Sequence, residues 1–108
     1  MRRGDIVTVA GGVYAKKPRP ALIVQDDRFD ATDSVTVCPF TSAEVEAPLL
    51  RVPVPADAAN GLDQDCFLMV DKITTVRRSK AHTVIGRLEA TMLVEFERRL
   101  LVFLGFGA

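Results

Sequence analysis

The apolar residues of this chain keep one rhythm for ninety residues and another for the rest. Up to Leu88 they come in short, β-branched runs cut by glycine, proline and aspartate, the pattern of brief strands and turns. From Ala90 to Leu104, Leu93, Phe96, Leu100, Phe103 and Leu104 recur at three- and four-residue steps, with Glu95, Glu97, Arg98 and Arg99 on much of the other face. That spacing predicts an amphipathic helix of about four turns. Gly105 and Gly107 are its expected stop signals. The chain's expected class is mainly β with a C-terminal helix: a small, partly open β-barrel or curled sheet with the helix packed on it.

The strand candidates are residues 5–10, 20–25, 34–40, 49–54, 66–70 and 83–88. Pro53 cannot donate to a ladder, so 49–54 is expected at an edge. Residues 66–70 are apolar throughout, as a strand buried on both faces would be. Asn60-Gly61 is a strong turn signal. Residues 71–80 read as a polar, basic connection. With 108 residues, 48% apolar and 26% charged, the chain is expected to be a single domain spanning 1–108 and to gain from dimerisation.

The net charge is zero, with 14 basic and 14 acidic side chains, which argues against a nucleic-acid partner until the sum is divided. Residues 1–20 hold five basic groups and one acid, a balance of +4. Residues 21–71 hold two and ten, a balance of −8. Residues 72–108 hold seven and three, again +4. If the two ends meet, a neutral protein carries a basic surface. No apolar stretch approaches the roughly 20 residues of a membrane span. The opening Met1-Arg2-Arg3 is a poor signal peptide because Asp5 interrupts the apolar run, so a cytoplasmic location and no membrane are expected. Cys38 and Cys66 lie in apolar runs and read as buried free thiols. One His and two isolated Cys cannot close a metal site, so neither metal nor cofactor is expected.

Three polar segments sit at the ends of predicted strands, where a side chain is held in place. The first is Lys16-Lys17-Pro18-Arg19-Pro20, in which two prolines stiffen the backbone around a guanidinium suited to phosphate. A solvated basic loop is its bland reading. The second is Pro39-Phe40-Thr41-Ser42, whose hydroxyls could bond a phosphate or cap a turn. The third runs from Asp71 through Lys72, Arg77 and Arg78 to Lys80. Asp71 could act as a general base at the edge of an apolar wall or form a local ion pair. The cations could track a nucleic-acid backbone or form a solvated face. His82 has no nucleophile beside it, and no triad or Gly-rich phosphate loop is present.

Taken in order, these segments resemble the MazF/PemK/Kid family of toxin–antitoxin ribonucleases over almost the whole chain. The residues that carry the likeness are Arg3-Gly4-Asp5-Ile6-Val7, Arg19-Pro20-Ala21-Leu22-Ile23-Val24, Pro39-Phe40-Thr41-Ser42, Gly61-Leu62, and Val70-Asp71-Lys72-Ile73-Thr74-Thr75-Val76. The resemblance implies an SH3-like β-barrel paired as a homodimer, a toxin fold shared by CcdB, Kid and MazF. It implies metal-independent cleavage of single-stranded RNA, mRNA included, by attack of a ribose 2′-hydroxyl on the adjacent phosphate. It also implies an acidic antitoxin as partner. Arg19 falls on the family's catalytic arginine, Thr41 on its active-site threonine, and Asp71 on an aspartate proposed as base in some members. Lys16, Lys17, Ser42, Lys72, Arg77 and Arg78 are the expected RNA contacts. The chain departs from the family pattern at Lys72 and Thr74, where Gln and a basic residue are usual, and its loop before Arg19 is short.

Two other functions share this scaffold. One is a CcdB-like toxin that binds DNA gyrase without cutting anything. It has no need of Arg19 and Thr41, and the ending Phe103-Leu104-Gly105-Phe106-Gly107-Ala108 lacks the expected Trp-Gly-Ile. The other is an inactive barrel that binds only an antitoxin peptide.

Overall fold

A computed structural model describes residues 1–10 and 17–106. Seven strands precede one helix: β1 (Asp5–Val9), β2 (Arg19–Ile23), β3 (Ser34–Thr41), β4 (Arg51–Val54), β5 (Cys66–Met69), β6 (Thr74–Arg77), β7 (Ala81–Arg87) and α1 (Ala90–Leu104). Short 3-10 turns occupy Asp27–Phe29, Val70–Lys72 and Arg78–Lys80. No helix among the described residues is long and apolar enough to cross a membrane.

All pairings are antiparallel, in the order β4-β5-β3-β2-β1-β7, with β6 also on β3. β3 organises the sheet. One edge pairs with β2. The other is shared: Ser34 to Val37 face β6, and Phe40 and Thr41 face β5. Pro39 lies in the gap between those two partners, where its missing N–H breaks no ladder. β4 is an edge strand, as Pro53 requires.

Alternation along the strands sends side chains to two cores. Ile6, Leu22, Cys38, Phe40, Leu68 and Val70 join Phe96 of α1, with Met92, Leu93 and Leu100 packed against them. Val7, Ala21, Ile23, Val35 and Val37 lie in the other cluster with Ala81 of β7, and Val76 of β6 packs there too. Strands from opposite edges of the five-stranded layer β7-β1-β2-β3-β6 thus supply one cluster. The sheet curls, as the partly open barrel expected from sequence would.

Three expectations change. β6 falls inside the stretch read as a connection; Thr74-Thr75-Val76 is β-branched and pairs with β3, while its polar outer face hid it. β5 alternates rather than being buried on both faces: Cys66, Leu68 and Val70 are buried, Phe67 and Met69 half-buried. The helix has the expected span, but of its predicted apolar face Phe103 and Leu104 are 47% and 53% exposed, because the last turn runs past the sheet. Gly105 closes it in the left-handed region (φ +85°), its N–H reaching the carbonyls of Leu101 and Val102. Gly107 lies outside the described residues.

The loop before β5 is fixed by Asn60. Its Oδ1 accepts from the amides of Asp57 and Leu62, and its Nδ2 donates to the Pro55 carbonyl. This loop lies so close to β7 that a Cβ on Gly86 would strike the Asn60 carbonyl, and one on Gly61 (φ +70°) the Ile85 carbonyl. The turn seen in Asn60-Gly61 is therefore also a packing contact.

Candidate active site

Ala21 pairs with Pro39 in the β2–β3 ladder. The β2–β3 pairing stops there; Arg19, the first residue of β2, and Thr41, the last of β3, lie two residues beyond it, each at the end of its strand. Two residues 22 positions apart in sequence thus meet at one rim of the sheet. A cavity of about 380 Å³ opens there, lined by Arg19, Pro20, Thr41, Ser42, Gln64 and Cys66 among others. Arg19 is exposed and has no ion pair among the described residues. The Thr41 hydroxyl accepts from the Ala43 amide at 3.1 Å. The turn-capping reading is thus true as far as it goes, but acceptance uses only a lone pair and leaves the O–H free to donate.

Cys66 lines the cavity, its thiol donating to the Gln64 carbonyl at 3.1 Å. Burial pushes this thiol up, and the nearby Asp65 and Asp63 carboxylates add to the effect, so it stays protonated at neutral pH. Cys38 is also a free thiol, pushed up to about 12 by burial.

Asp71 is not on this cavity wall. Its Oδ1 accepts from Arg51 Nη1 at 2.6 Å, and Lys72 Nζ lies 3.9 Å from Oδ2. Burial pushes the Asp71 carboxyl up, but the Arg51 hydrogen bond and charge outweigh it and, with Lys72, hold it below the usual carboxylate range. Arg51 also donates to the Leu50 carbonyl, and its buried Nε has no partner among the described residues.

The expected RNA contacts divide in the same way. Lys17 lines an adjoining cavity that shares Arg19, and Ser42 lies beside Thr41. Lys72 follows β5 on the side away from Thr41. Arg77 pairs with Ser34, seven residues from Thr41, or about 23 Å along the strand. Arg78 is engaged with the Thr32 and Ser34 carbonyls and the Thr32 hydroxyl. Lys16 lies outside the described residues. In sequence, Gln64 and Arg51 carry no sign of a role at a site and Cys66 reads only as a buried thiol, because pairing through β5 is what brings them to their places.

A curled antiparallel sheet carrying one C-terminal helix is the architecture of several solved toxins. The Mycobacterium tuberculosis toxin MazF-mt6 superposes with a TM-score of 0.78 at 25% identity, covering 94% of this chain and 96% of that one. MazF in a MazE-MazF crystal structure from Deinococcus radiodurans gives 0.79 at 23% identity, over 98% and 97%, and shows the shared fold. Among curated proteins, the probable endoribonuclease MazF of Mycolicibacterium smegmatis is 57% identical over 108 residues, 99% of each chain. Endoribonuclease MazF9 of M. tuberculosis is 32% identical over 93% of this chain and 92% of its own. Residues 2–104 match the family described as PemK-like, MazF-like toxin of type II toxin-antitoxin system, and this chain belongs to that family.

Proposed function

We propose that this protein is an endoribonuclease toxin that cuts single-stranded RNA, mRNA above all, at a short sequence and without a metal. The observation that carries the reading is that Arg19 and Thr41, at the ends of the paired strands β2 and β3, line one cavity in a chain of this family. The 2′-oxygen forms a bond to the adjacent phosphorus while the bond from phosphorus to the 5′-oxygen breaks. The 2′-hydroxyl loses its proton, the leaving oxygen gains one, and the products are a 2′,3′-cyclic phosphate and a 5′-hydroxyl.

Arg19 lays its guanidinium fork on the phosphate and stabilises the phosphorane charge. Thr41 donates its free O–H to a phosphate oxygen. Ser42 and Lys17 hold the flanking backbone. The acid–base part differs from the simplest expectation. The described residues lining the cavity include no carboxylate or imidazole, and Cys66 is held as a thiol. Asp71, paired to Arg51 and outside the cavity, is read as a strut tying β4 to the end of β5. Charge stabilisation and positioning therefore carry most of the catalysis within a protomer.

The protein works as a homodimer in the cytoplasm, restrained by an acidic antitoxin. Support for the dimer comes from the apolar surface left open on α1, where Val94, Leu101, Val102, Phe103 and Leu104 are exposed. Support for the antitoxin comes from the relatives solved as MazE-MazF complexes. The test is cleavage of a long single-stranded RNA by antitoxin-free protein in EDTA, with both new ends mapped. Cyclic phosphate and 5′-hydroxyl ends are expected, and Arg19→Ala should lose about 100- to 1000-fold in rate while keeping its fold. Intact RNA in the presence of folded wild type overturns the proposal.

A further inference from the structure

The Arg19–Thr41 cavity is one half of a longer groove. A second cavity, of about 440 Å³, shares Arg19, Pro20, Gln64 and Cys66 with the first. Arg19 stands at the junction. Resting on the ribonuclease reading, a phosphate on Arg19 has one nucleoside in each cavity. The second cavity has a distinct chemistry. Lys17 and Arg19 provide cations for backbone, Ile85 an apolar surface for a base, and Asp63, Gln64 and Thr8 polar groups for its edge.

Asp63 and Gln64 are both exposed, and neither side chain has a hydrogen bond or ion pair among the described residues. They contrast with Asp65, whose carboxylate accepts from the Ala56 amide, and with Asp57, which is bonded to Asn60. The loop beneath them is held by the Asn60 hydrogen bonds and the close contact of Gly61 with β7. Two free polar side chains on a fixed loop suit a recognition wall. A carboxylate only accepts, and beside a polyanion it is unfavourable unless a donor meets it. The 2′-hydroxyl donates alike from every nucleotide; the donors that distinguish the bases are the ring N–H groups of guanine and uracil and the exocyclic amino groups of cytosine, adenine and guanine. Uracil flanks its one N–H with two carbonyl oxygens, which a carboxylate repels. The Gln64 amide can accept from such an amino group and donate to the neighbouring ring nitrogen.

We propose that Asp63 and Gln64 are specificity-determining residues, selecting an amino-bearing base over uracil at one of the two nucleotides that flank the scissile phosphate. The cut site is first mapped on mixed-sequence RNA, and each flanking nucleotide is then replaced by uridine. For wild type, replacement at one of the two positions should lower kcat/KM by roughly tenfold. Asp63→Asn and Gln64→Ala should each reduce that penalty to under about threefold at the same position, leaving discrimination elsewhere unchanged. Uridine accepted at both positions, or a penalty unchanged in both variants, overturns the proposal while the ribonuclease reading stands. If wild type cuts nothing, that reading falls, and this one is judged by binding to oligo(deoxycytidine) and oligo(deoxyuridine), which lack the 2′-hydroxyl. Tighter binding of the cytidine polymer that Asp63→Asn abolishes supports it; equal binding of the two overturns it.

Discussion

Thr41 shows how a turn and a site can share one hydroxyl. Its oxygen holds the Ala43 amide while its hydrogen stays available, so the two roles do not compete. Thr41→Ser keeps both and should retain most activity. Thr41→Val keeps the shape, loses the donor, and should lower the cleavage rate about 10- to 100-fold, measured under single turnover. Asp71 gives the opposite case. Its carboxylate is 23% exposed and that of its partner Arg51 12%, so the pair is partly shielded from water. Asp71→Asn should cost about 1–2 kcal/mol of stability at pH 7, between the values of exposed and buried pairs, as read by urea unfolding. Because Asp71 titrates below the usual carboxylate range when folded, its contribution is full above that range and fades as pH falls through the folded value. The stability gap between wild type and variant should therefore be flat near neutrality and close below about pH 4. A general base predicts something else: a large loss of cleavage in Asp71→Asn with stability unchanged.

At the level of elements, the close approach of the 57–61 loop to β7 sets the mouth of the groove. Gly86→Ala drives a methyl group into the Asn60 carbonyl and should destabilise by about 1–3 kcal/mol or disturb cleavage through loop displacement. Gly105→Ala is the control. Its Cβ would meet open space, and only the left-handed φ opposes it, so about 1 kcal/mol is expected. Both are read from denaturant midpoints. The two positions also show what sequence carries at this scale. Gly105 is legible because it follows an amphipathic repeat. Gly86 sits within a strand pattern, and its reason lies across the sheet. β6 was illegible for a related cause: its polar, basic face resembles a loop until β3 supplies a partner.

For the molecule as a whole, zero net charge is resolved by pairing. Arg3 is joined to Glu97 at 2.7 Å and Arg87 to Asp5 at 2.7 Å, so cations from both basic ends of the chain serve the packing of the helix and β7 onto β1. Lys17 and Arg19 have no ion pair among the described residues and line the groove. The basic ends do not merge into one broad surface, since Arg77 and Arg78 lie at the far end of β3. RNA affinity should accordingly fall only gently with salt, with a log–log slope corresponding to about two or three phosphate contacts per protomer. Fluorescence anisotropy across a salt series measures it, and a slope near that of six or more contacts would contradict this placement.

Six of the seven strands, the helix and its glycine stop, the edge position of β4, and the segments holding Arg19 and Thr41 were readable along the chain. Each depends on local rules: period, β-branching, proline's missing donor, glycine's freedom at positive φ. The family resemblance ranked Arg19 and Thr41 first, again from contiguous motifs. Tertiary structure alone decided which polar groups meet. The antiparallel pairing of β2 with β3 brought the strand-end Arg19 and Thr41 to one cavity, β5 brought Gln64 and Cys66 to the same cavity, and Asp71 is held by Arg51 outside it. Those outcomes depend on cross-strand pairing between distant segments, and no period within one segment encodes its partner.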